Sequence, residues 1–350
     1  MRTDTREKFN KLLGVVCQEN AIEDPSKKFT VASGVERIVR DKMTENSDFL
    51  KLINIVPVTE QSGEKLGLGV GSPIASRTDT KSEEREPHEL TPDDPDLYHC
   101  KQTNFDTALR YQTIDAMAVL PQAEFQARYR AGVMTQTALD RIMVGWNGTH
   151  AANKTSRAAY PLLQDVNVGW LEKVRLNKPT ALMGYQSDGQ SDGEDITVGE
   201  GGRYPNLDSL VFECMGSLLD PWFVGSQDLV LILGRELWVK HGLSLYGAAN
   251  NTATEFNALN LLFANQLIGG LRPVLVPFVP PRGLLVTSFD NLSLYYQLGG
   301  MRRAIVDNPK RDRVEEYLSS NDAYVVEDYG KLGGVRAGAI KLKAANGAWV

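Results

Sequence analysis

The sequence predicts an α+β protein in which one long helix packs against a late block of β-strands, with a smaller α/β unit inserted between these two parts. Three patterns support this prediction. Apolar side chains recur at helical spacing over residues 122–146. Leu292, Leu294, Tyr296 and Leu298 occupy alternate positions, which is typical of a strand with one buried face. Between these two stretches, residues 168–270 alternate between helical and strand patterns.

The predicted long helix follows Pro121, and at 1.5 Å per residue it would be roughly 37 Å long. We expect Met143 to face the strands around Leu294, and Asn147-Gly148 to end the helix in a left-handed turn. An ordinary core helix of an enzyme domain is the alternative interpretation. The apolar stripe, interrupted at Gln136, consists of Phe125, Tyr129, Gly132 or Val133, Leu139, Met143 and Trp146. The opposite, polar face consists of Gln122, Gln126, Arg130, Thr137, Asp140 and Arg141.

Length and composition indicate a cytoplasmic globular protein. A chain of 350 residues is long enough for two or three compact units, because single cores seldom grow beyond ~250–300 residues. The formal net charge of −6 predicts no strong general affinity for phosphate backbones. The scattered cysteines Cys17, Cys100 and Cys214 indicate a reducing compartment and no metal cluster. Charged residues occur throughout the first twenty positions, which predicts that no signal peptide is present. The sequence has no long apolar run, which predicts that no membrane span is present.

Two short helices are predicted near the N-terminus. Residues 5–20 carry an apolar stripe, but a helix of this length is marginal in isolation, so it needs a partner. That partner is either the body of this protein or another protein. A second helix is predicted to start at Ser33, with Glu36 completing a capping box. The stripe of the first helix consists of Phe9, Leu12, Leu13, Val16 and Cys17.

Residues 59–98 form the most irregular part of the sequence. Glycines are frequent in the first half, whereas acidic residues and prolines crowd the second half. Such a stretch is uncommon inside a compact domain, so it is either disordered or an arm whose contacts lie elsewhere. The spacing of Leu66, Leu68, Val70 and Ile74 favours an extended hairpin. Candidate basic partners on a neighbouring subunit for the acidic half are Arg302, Arg303, Lys310 and Arg311.

The rest of the chain divides into a mixed block and a strand-rich block. The mixed block predicts a helix over residues 168–176, a helix capped by Asn206 and a buried strand over residues 229–233. A further helical stripe lies between residues 256 and 267. Beyond residue 273 strands dominate, with predicted turns near Gly299, Asn308 and Ser320-Asn321.

Catalytic and metal-binding motifs are missing from the sequence. The four histidines never occur in a metal-ligand spacing, and neither a nucleophile elbow nor a phosphate-binding loop is present. Asp188, Asp192 and Gly193 match three positions of a calcium loop, but Gly199 stands where a bidentate carboxylate is required. We therefore predict that the protein is not an enzyme and has no cofactor or metal. A cytosolic α/β enzyme with an inserted domain is the alternative, and it requires a pocket with shifted titratable groups.

Several stretches of the sequence resemble tailed-phage major capsid proteins. Residues 268–274 (IGGLRPV) and 280–289 (PPRGLLVTSF) are similar to a strand and a turn that lead out of the central domain in that class. Nearly the whole chain is similar to the Peduovirus-type branch, from temperate contractile-tailed phages. The further stretches that carry this resemblance are residues 26–31, 47–50, 53–58, 163–171, 308–315 and 324–329.

The resemblance implies the Hong Kong ninety-seven-like viral capsid fold. This fold has an N-terminal arm, an extended loop, a peripheral domain with a long spine helix and β-strands, and an axial α/β domain. The resemblance also implies removal of the N-terminal segment during maturation, with the cut near Phe29 and Thr30. The implied divisions are 1–29 for the scaffold-interacting, cleaved segment, 30–58 for the N-arm, 59–100 for the extended loop, 101–160 with 284–345 for the peripheral domain, and 161–283 for the axial domain.

The implied function is that of a major capsid protein, which self-assembles into the icosahedral head shell of a tailed double-stranded DNA phage. The expected partners are other copies of the chain in hexamers and pentamers, an internal scaffold or protease protein, a portal protein and packaged DNA bound non-specifically. The expected location is the virion capsid, after assembly in the host bacterial cytoplasm. The alternative is a genome-free nanocompartment shell of the same fold. A cleavable N-terminal helix favours the phage, because a cargo shell needs no scaffold-directed processing.

Overall fold

The computed structural model of the chain describes residues 1–45, 47–65, 75, 77–82, 84–85, 97–248, 267–344 and 347–350, without the side chains of residues 243–248. The helices are α1 Thr3–Asn20, α2 Ser33–Glu45, α3 Tyr111–Met117, α4 Gln122–Asn147, α5 Trp170–Asn177, α6 Leu207–Leu218 and α7 Arg235–Ala248. The first eight strands are β1 Phe29–Thr30, β2 Asn54–Val58, β3 Ser62–Glu64, β4 Leu97–His99, β5 Lys101–Asn104, β6 Thr107–Arg110, β7 Leu182–Met183 and β8 Ile196–Val198. The remaining strands are β9 Val230–Leu233, β10 Arg272–Leu275, β11 Leu284–Thr287, β12 Leu292–Gln297, β13 Arg302–Asn308, β14 Arg313–Val326, β15 Gly333–Val335 and β16 Ile340–Leu342.

The larger sheet is built around the 14-residue strand β14. Within the described residues this sheet has seven strands in the order β1-β13-β14-β12-β2, and β5 and β6 also pair with β14. The turn predicted at Ser320-Asn321 is wrong, because β14 continues through these residues. Ser320 is fully buried there, and its hydroxyl donates to the Asp322 carboxylate at 2.9 Å. Polar residues that resemble a turn in the sequence are thus satisfied inside the sheet.

Both faces of strand β12 are buried, whereas the sequence predicted one. Leu294 lies in a buried cluster together with Ile142 and Trp170. On the other face, the ring of Tyr295 packs against Tyr98 of β4, with the ring centroids 5.2 Å apart. The short antiparallel pair β3–β4, at the base of the predicted extended hairpin, therefore covers the second face of the sheet. The apolar hairpin positions between residues 66 and 74 lie outside the described residues.

The long helix predicted around residues 122–146 is confirmed as α4, which has 26 residues. Its N-terminal half buries Phe125 and Tyr129 as predicted. In the C-terminal half, however, Ile142 is buried in the same cluster as Leu294, whereas Met143 is only partly buried. The expectation that Met143 faces the strands is therefore wrong. The predicted polar face is buried at two positions, Thr137 and Arg141.

Gly148 ends α4 for a reason other than the predicted left-handed turn. Its φ is −62° and its ψ is 126°, which any residue can adopt. A Cβ atom at this position would lie 2.2 Å from the backbone oxygen of Asn167. Gly148 is needed because two backbone segments approach each other closely at this point.

The mixed block folds around a second sheet, whose described strands run in the order β10-β9-β11-β15-β7. The predicted buried strand and helix cap are confirmed: β9 is buried throughout, and the Asn206 side chain accepts a hydrogen bond from Ser209 N–H at 2.9 Å. Strand β11 pairs with β9 and β15, so the predicted domain boundary between residues 283 and 284 falls inside this sheet. By sheet membership, β11 and β15 belong with residues 161–283, because the same buried cluster contains Leu231, Leu284 and Val335.

Candidate functional site

The candidate site is the N-terminal segment together with the surface on which it lies. The apolar stripe predicted for α1 is confirmed, since Phe9, Leu12 and Val16 are at most 1 % exposed. They share one buried cluster with side chains of α3, α4, β13 and β14, so the partner of α1 in this structure is the body of its own chain. The members of the cluster from the body are Tyr111, Ile114, Phe125, Tyr129, Ile305 and Val314.

Polar contacts fix the position of α1 along this apolar surface. The Lys8 ammonium donates to the backbone carbonyls of Ala118 and Leu120, both at 2.6 Å. In return, the Gln122 side-chain amide donates to the backbone carbonyl of Lys8 at 3.0 Å. The carbonyls of Ala118 and Leu120 lie between α3 and α4, so these contacts align α1 with the start of the long helix.

Asp307 on β13 is the main electrostatic contact of α1. Its carboxylate forms an ion pair with Arg6 and accepts a hydrogen bond from the Tyr111 hydroxyl. Partial burial alone would raise the pKa of Asp307, but the hydrogen bond from Tyr111 and the contacts with Arg6 hold that pKa below its usual range. Asp307 is therefore ionised at neutral pH and attracts the N-terminal half of α1.

The candidate cleavage residues Phe29 and Thr30 form β1, at the edge of the larger sheet. Phe29 pairs with Arg303 and Thr30 with Arg302 in an antiparallel register. Phe29 is partly buried, and Thr30 is exposed. The linker between α1 and β1 lies mostly on the surface, and its Pro25 carbonyl accepts a hydrogen bond from Ile305 N–H at 2.8 Å. The structure therefore places the two residues in a short edge strand, in which Thr30 is exposed and Phe29 packs against two buried apolar clusters.

Four buried charged groups form a second feature, beneath α2. Arg40 pairs with Glu36 on the same helix at 3.1 Å and with Asp322 of β14 at 3.3 Å. Arg141 of α4 reaches the other oxygen of Asp322 at 3.0 Å. The side chains of all four residues are at most 4 % exposed. We call Glu36, Arg40, Arg141 and Asp322 the charge cluster.

Further contacts complete the charge cluster. Glu36 accepts a hydrogen bond from Gly299 N–H at 3.0 Å, and Arg141 donates to the Ser320 hydroxyl at 3.0 Å. The Arg40 guanidinium lies 3.8 Å from the centroid of the Tyr296 ring. Burial alone would raise the pKa of Asp322, but Arg141 and then Arg40 lower it, so this carboxylate is ionised. The charge cluster thus joins α2, α4 and β14 with no net charge.

Sequence reasoning missed the charge cluster. It assigned Glu36 to a capping box, but the Glu36 carboxylate binds Arg40 and Gly299 instead. It placed Arg141 on a solvent-facing surface of the long helix. The four-residue spacing of Glu36 and Arg40 was the one local signal, because residues at that spacing are neighbours on a helix.

The basic residues suggested as partners for an acidic arm of another subunit divide into two groups. Arg303 already forms an ion pair with Glu316 of its own chain at 2.7 Å. Arg302, Lys310 and Arg311 are exposed and stay candidates for that contact.

The described residues contain no group of three or more His, Cys, Asp or Glu side chains that could hold a metal ion. Burial raises the pKa of both Cys100 and Cys214 to about 12, so these thiols are protonated at neutral pH and are poor nucleophiles. In the part of the chain that the structure describes, no helix has the length and apolarity needed to cross a membrane. The features described above, the α1 surface and the charge cluster, are packing contacts between elements of the chain.

Comparison with known proteins identifies the family to which the sequence is similar. The family model for the phage major capsid protein, P2 family, matches residues 8–336. The chain is 42 % identical over 334 residues to the capsid protein of Escherichia phage P2, covering 94 % of this chain and 93 % of that protein. It is 35 % identical over 336 residues to the major capsid protein of Serratia phage KSP20, covering 95 % and 96 % respectively.

A solved structure agrees with these sequence matches. A chain from the procapsid of satellite phage P4, which includes a size determination protein, superposes with a TM-score of 0.79 at 40 % identity. The match covers 98 % of this chain and 99 % of that chain. The molecule is thus a shell-forming subunit with the Hong Kong ninety-seven-like α+β fold. The chain belongs to the P2 family of phage major capsid proteins.

This assignment confirms the predicted function. The protein is a structural subunit that forms the icosahedral shell of a tailed-phage head, and its location is the virion capsid. The subunit assembles with other copies of itself, as in other capsid shells. Membership of this family decides between the two predicted functions, in favour of a phage head shell and against a genome-free nanocompartment.

Proposed function

We propose that the subunit is made with a removable N-terminal segment, residues 1–29, which contacts the internal scaffold or protease protein during assembly and is then cut off near Phe29 and Thr30. The observation that carries this proposal is the location of these residues in the edge strand β1, after an exposed linker. A protease that binds its substrate in an extended conformation has to separate the two residues of β1 from β13, together with the flanking hydrogen bonds of Pro25 and Val31.

The contacts of α1 are those of a segment that docks on a body formed by other elements. Its buried apolar side chains lie on a surface formed by other elements, and no described β-strand precedes Phe29. The exposed side of α1 offers Glu7 and Lys11 to a second protein. A scaffold protein can therefore contact this side while α1 stays on the body.

The remaining roles of the subunit are mechanical. We propose that it performs no catalysis, contacts the portal protein and the packaged double-stranded DNA, and assembles in the host bacterial cytoplasm as a late product of infection. The net charge of −6 supports non-specific containment of DNA rather than tight binding. Residues 30–58 act as the N-arm, 59–100 as the extended loop, 101–160 with most of 284–345 as the peripheral domain, and 161–283 as the axial domain.

Mass spectrometry of the shell protein from mature virions tests the processing step. We expect an N-terminus close to residue 30 and no intact chain. Phe29→Asp should block the cut, whereas Lys27→Ala, at an exposed linker position, should leave it in place. An unaltered shell protein that starts at residue 1 or 2 in mature virions would refute the proposal.

Electron microscopy of the expressed chain, alone and with its scaffold protein, tests the scaffold contact. We expect regular shells with the scaffold and irregular or no shells without it. Identical shells under both conditions would show that residues 1–29 do not act through a scaffold.

A further inference from the structure

Helix α2 contacts the body through Met43 and through Val35 and Val39, which are only partly buried against the same apolar cluster. Of its 13 residues, Glu36, Arg40 and Met43 are buried, so a single apolar side chain accompanies two charged ones. The segments on either side of α2 are anchored better. Val31 is 3 % exposed and its N–H donates to Met301 O at 2.9 Å, and Leu50, beyond the helix, is 2 % exposed.

Open space borders α2 on two sides. A cavity of about 150 Å³ lies between α2 and α4, lined by Val35, Val39 and Met134 among others. A groove of about 640 Å³ lies between α2 and the sheet edge, lined by Arg37, Ile55 and Leu298 among others. Both spaces are partly open to the surface, so α2 is bordered by a groove along each flank.

The charge cluster separates into two neutral pairs at the boundary between α2 and the body. Glu36 and Arg40 both belong to α2, and they pair at 3.1 Å. Asp322 and Arg141 both belong to the body, where they pair at 3.0 Å with Ser320 as a further partner. The connecting ion pair is Arg40–Asp322 at 3.3 Å. Departure of α2 thus breaks one ion pair between the halves and leaves no charge without a partner.

We propose that α2 is a detachable strap, which leaves the body and returns to it as a unit while the sheet and α4 beneath it stay folded. The anchors at Val31 and Leu50 keep its ends in place. Once α2 departs, Glu36 and Arg40 gain water, and the Gly299 N–H, which lies in an exposed turn, is solvated as well. This device concerns the subunit itself and does not depend on cleavage at Phe29.

Hydrogen exchange of the unaltered, unassembled chain is the first test. Amides of α2 should exchange through an opening that depends weakly on denaturant, because that opening exposes little surface. Amides of β14 should exchange through an opening that depends strongly on denaturant. The same strong dependence for both elements would refute the proposal, because α2 would then open only with the whole fold.

Two substitutions in the charge cluster give a second test. Glu36→Gln leaves a net positive charge in the docked cluster, and detachment relieves it, since Arg40 then reaches water while Arg141 keeps Asp322. We expect exchange in α2 to increase on the order of tenfold or more, with an unchanged main unfolding temperature. Asp322→Asn leaves Arg141 without a carboxylate in the body itself, so the main unfolding temperature should fall.

Glu45→Gln is the matched control, because Glu45 is an exposed carboxylate on the same helix. It should change neither quantity. If Glu36→Gln lowers the main unfolding temperature as much as Asp322→Asn does, α2 is an integral part of the body and the proposal fails.

Discussion

Helices α1 and α2 lie on the same body but are held there by a different balance of apolar and charged contacts. The α1 helix buries three large apolar side chains, Phe9, Leu12 and Val16, whereas α2 buries one, Met43, together with two charged groups. Apolar contacts are non-directional and scale with buried area, so weakening α1 should loosen it gradually. Buried ion pairs require good geometry and leave a costly charge when one partner is lost. The two helices should therefore respond differently to substitution, cutting and acid.

The largest effect should come from Arg141→Met, which removes the charge that the body contributes to Asp322. The cluster would then carry a buried net negative charge, because Arg40 alone would serve Glu36 and Asp322. We expect the free energy of unfolding to fall by about 3–5 kcal/mol. Chemical denaturation of the unassembled subunit measures this change.

Arg128→Met is the control for that substitution, because Arg128 is exposed on the same helix. It should change the free energy of unfolding by no more than about 0.5 kcal/mol. Equal effects of the two substitutions would mean that the charge cluster does not stabilise the fold.

An engineered protease site between Lys28 and Phe29 tests how α1 is held, with an intermediate expected effect. After the cut, the apolar contacts and the Lys8 hydrogen bonds are still present, so peptide 1–28 should stay bound with a Kd of ~1–10 µM. Size-exclusion chromatography followed by mass spectrometry detects the retained peptide.

Phe9→Ala should release the peptide from the cut chain, and Asn10→Ala, at the adjacent exposed position, should not. Immediate loss of the peptide from the otherwise unaltered cut chain would show that the covalent connection, rather than apolar packing, holds α1 in place.

Acid should have the smallest effect, and it should act on α1 through Asp307. The folded pKa of Asp307 lies below its ordinary value, so its contribution is fully present above pH ~4 and is lost as the pH falls through the folded pKa. Since the Arg6–Asp307 pair is about one third exposed, we expect less than ~1 kcal/mol.

Hydrogen exchange of α1 between pH 3 and 7, corrected for intrinsic rates, measures this loss. Asp307→Asn should weaken the pH dependence and leave the part that arises from Asp115, whose pKa is lowered mainly by the hydrogen bond from Arg2 N–H. An unchanged pH profile in the Asp307→Asn variant would exclude Asp307 as the titrating group.

Features that rest on a regular spacing of apolar residues were predictable from the sequence. Features that depend on contacts between residues far apart in the sequence were not. The α1 stripe and the long helix α4 were predictable, since regular spacing of apolar residues reports a buried face. The charge cluster was not, because Arg141 and Asp322 look like surface residues until the fold brings them together. For the same reason, Ser320-Asn321 was interpreted as a turn although it lies within β14.

The candidate site was predictable only in part. The family resemblance indicated a cut near Phe29 and Thr30, but their location in an edge strand depends on pairing with Arg303 and Arg302, which are far away in the sequence. The face of the long helix was misassigned around Met143, because Arg141 finds a buried partner and a pattern of apolar residues does not record such partners.

The pairing of β14 also determines the order in which the chain can fold during synthesis. Strands β5 and β6 pair with a strand that leaves the ribosome about 200 residues later. Until then α4 has been made, but the sheet that covers its apolar side is incomplete. Each new subunit thus passes through a stage in which the apolar side of α4 lacks its sheet, and intermediates of this kind are prone to aggregation.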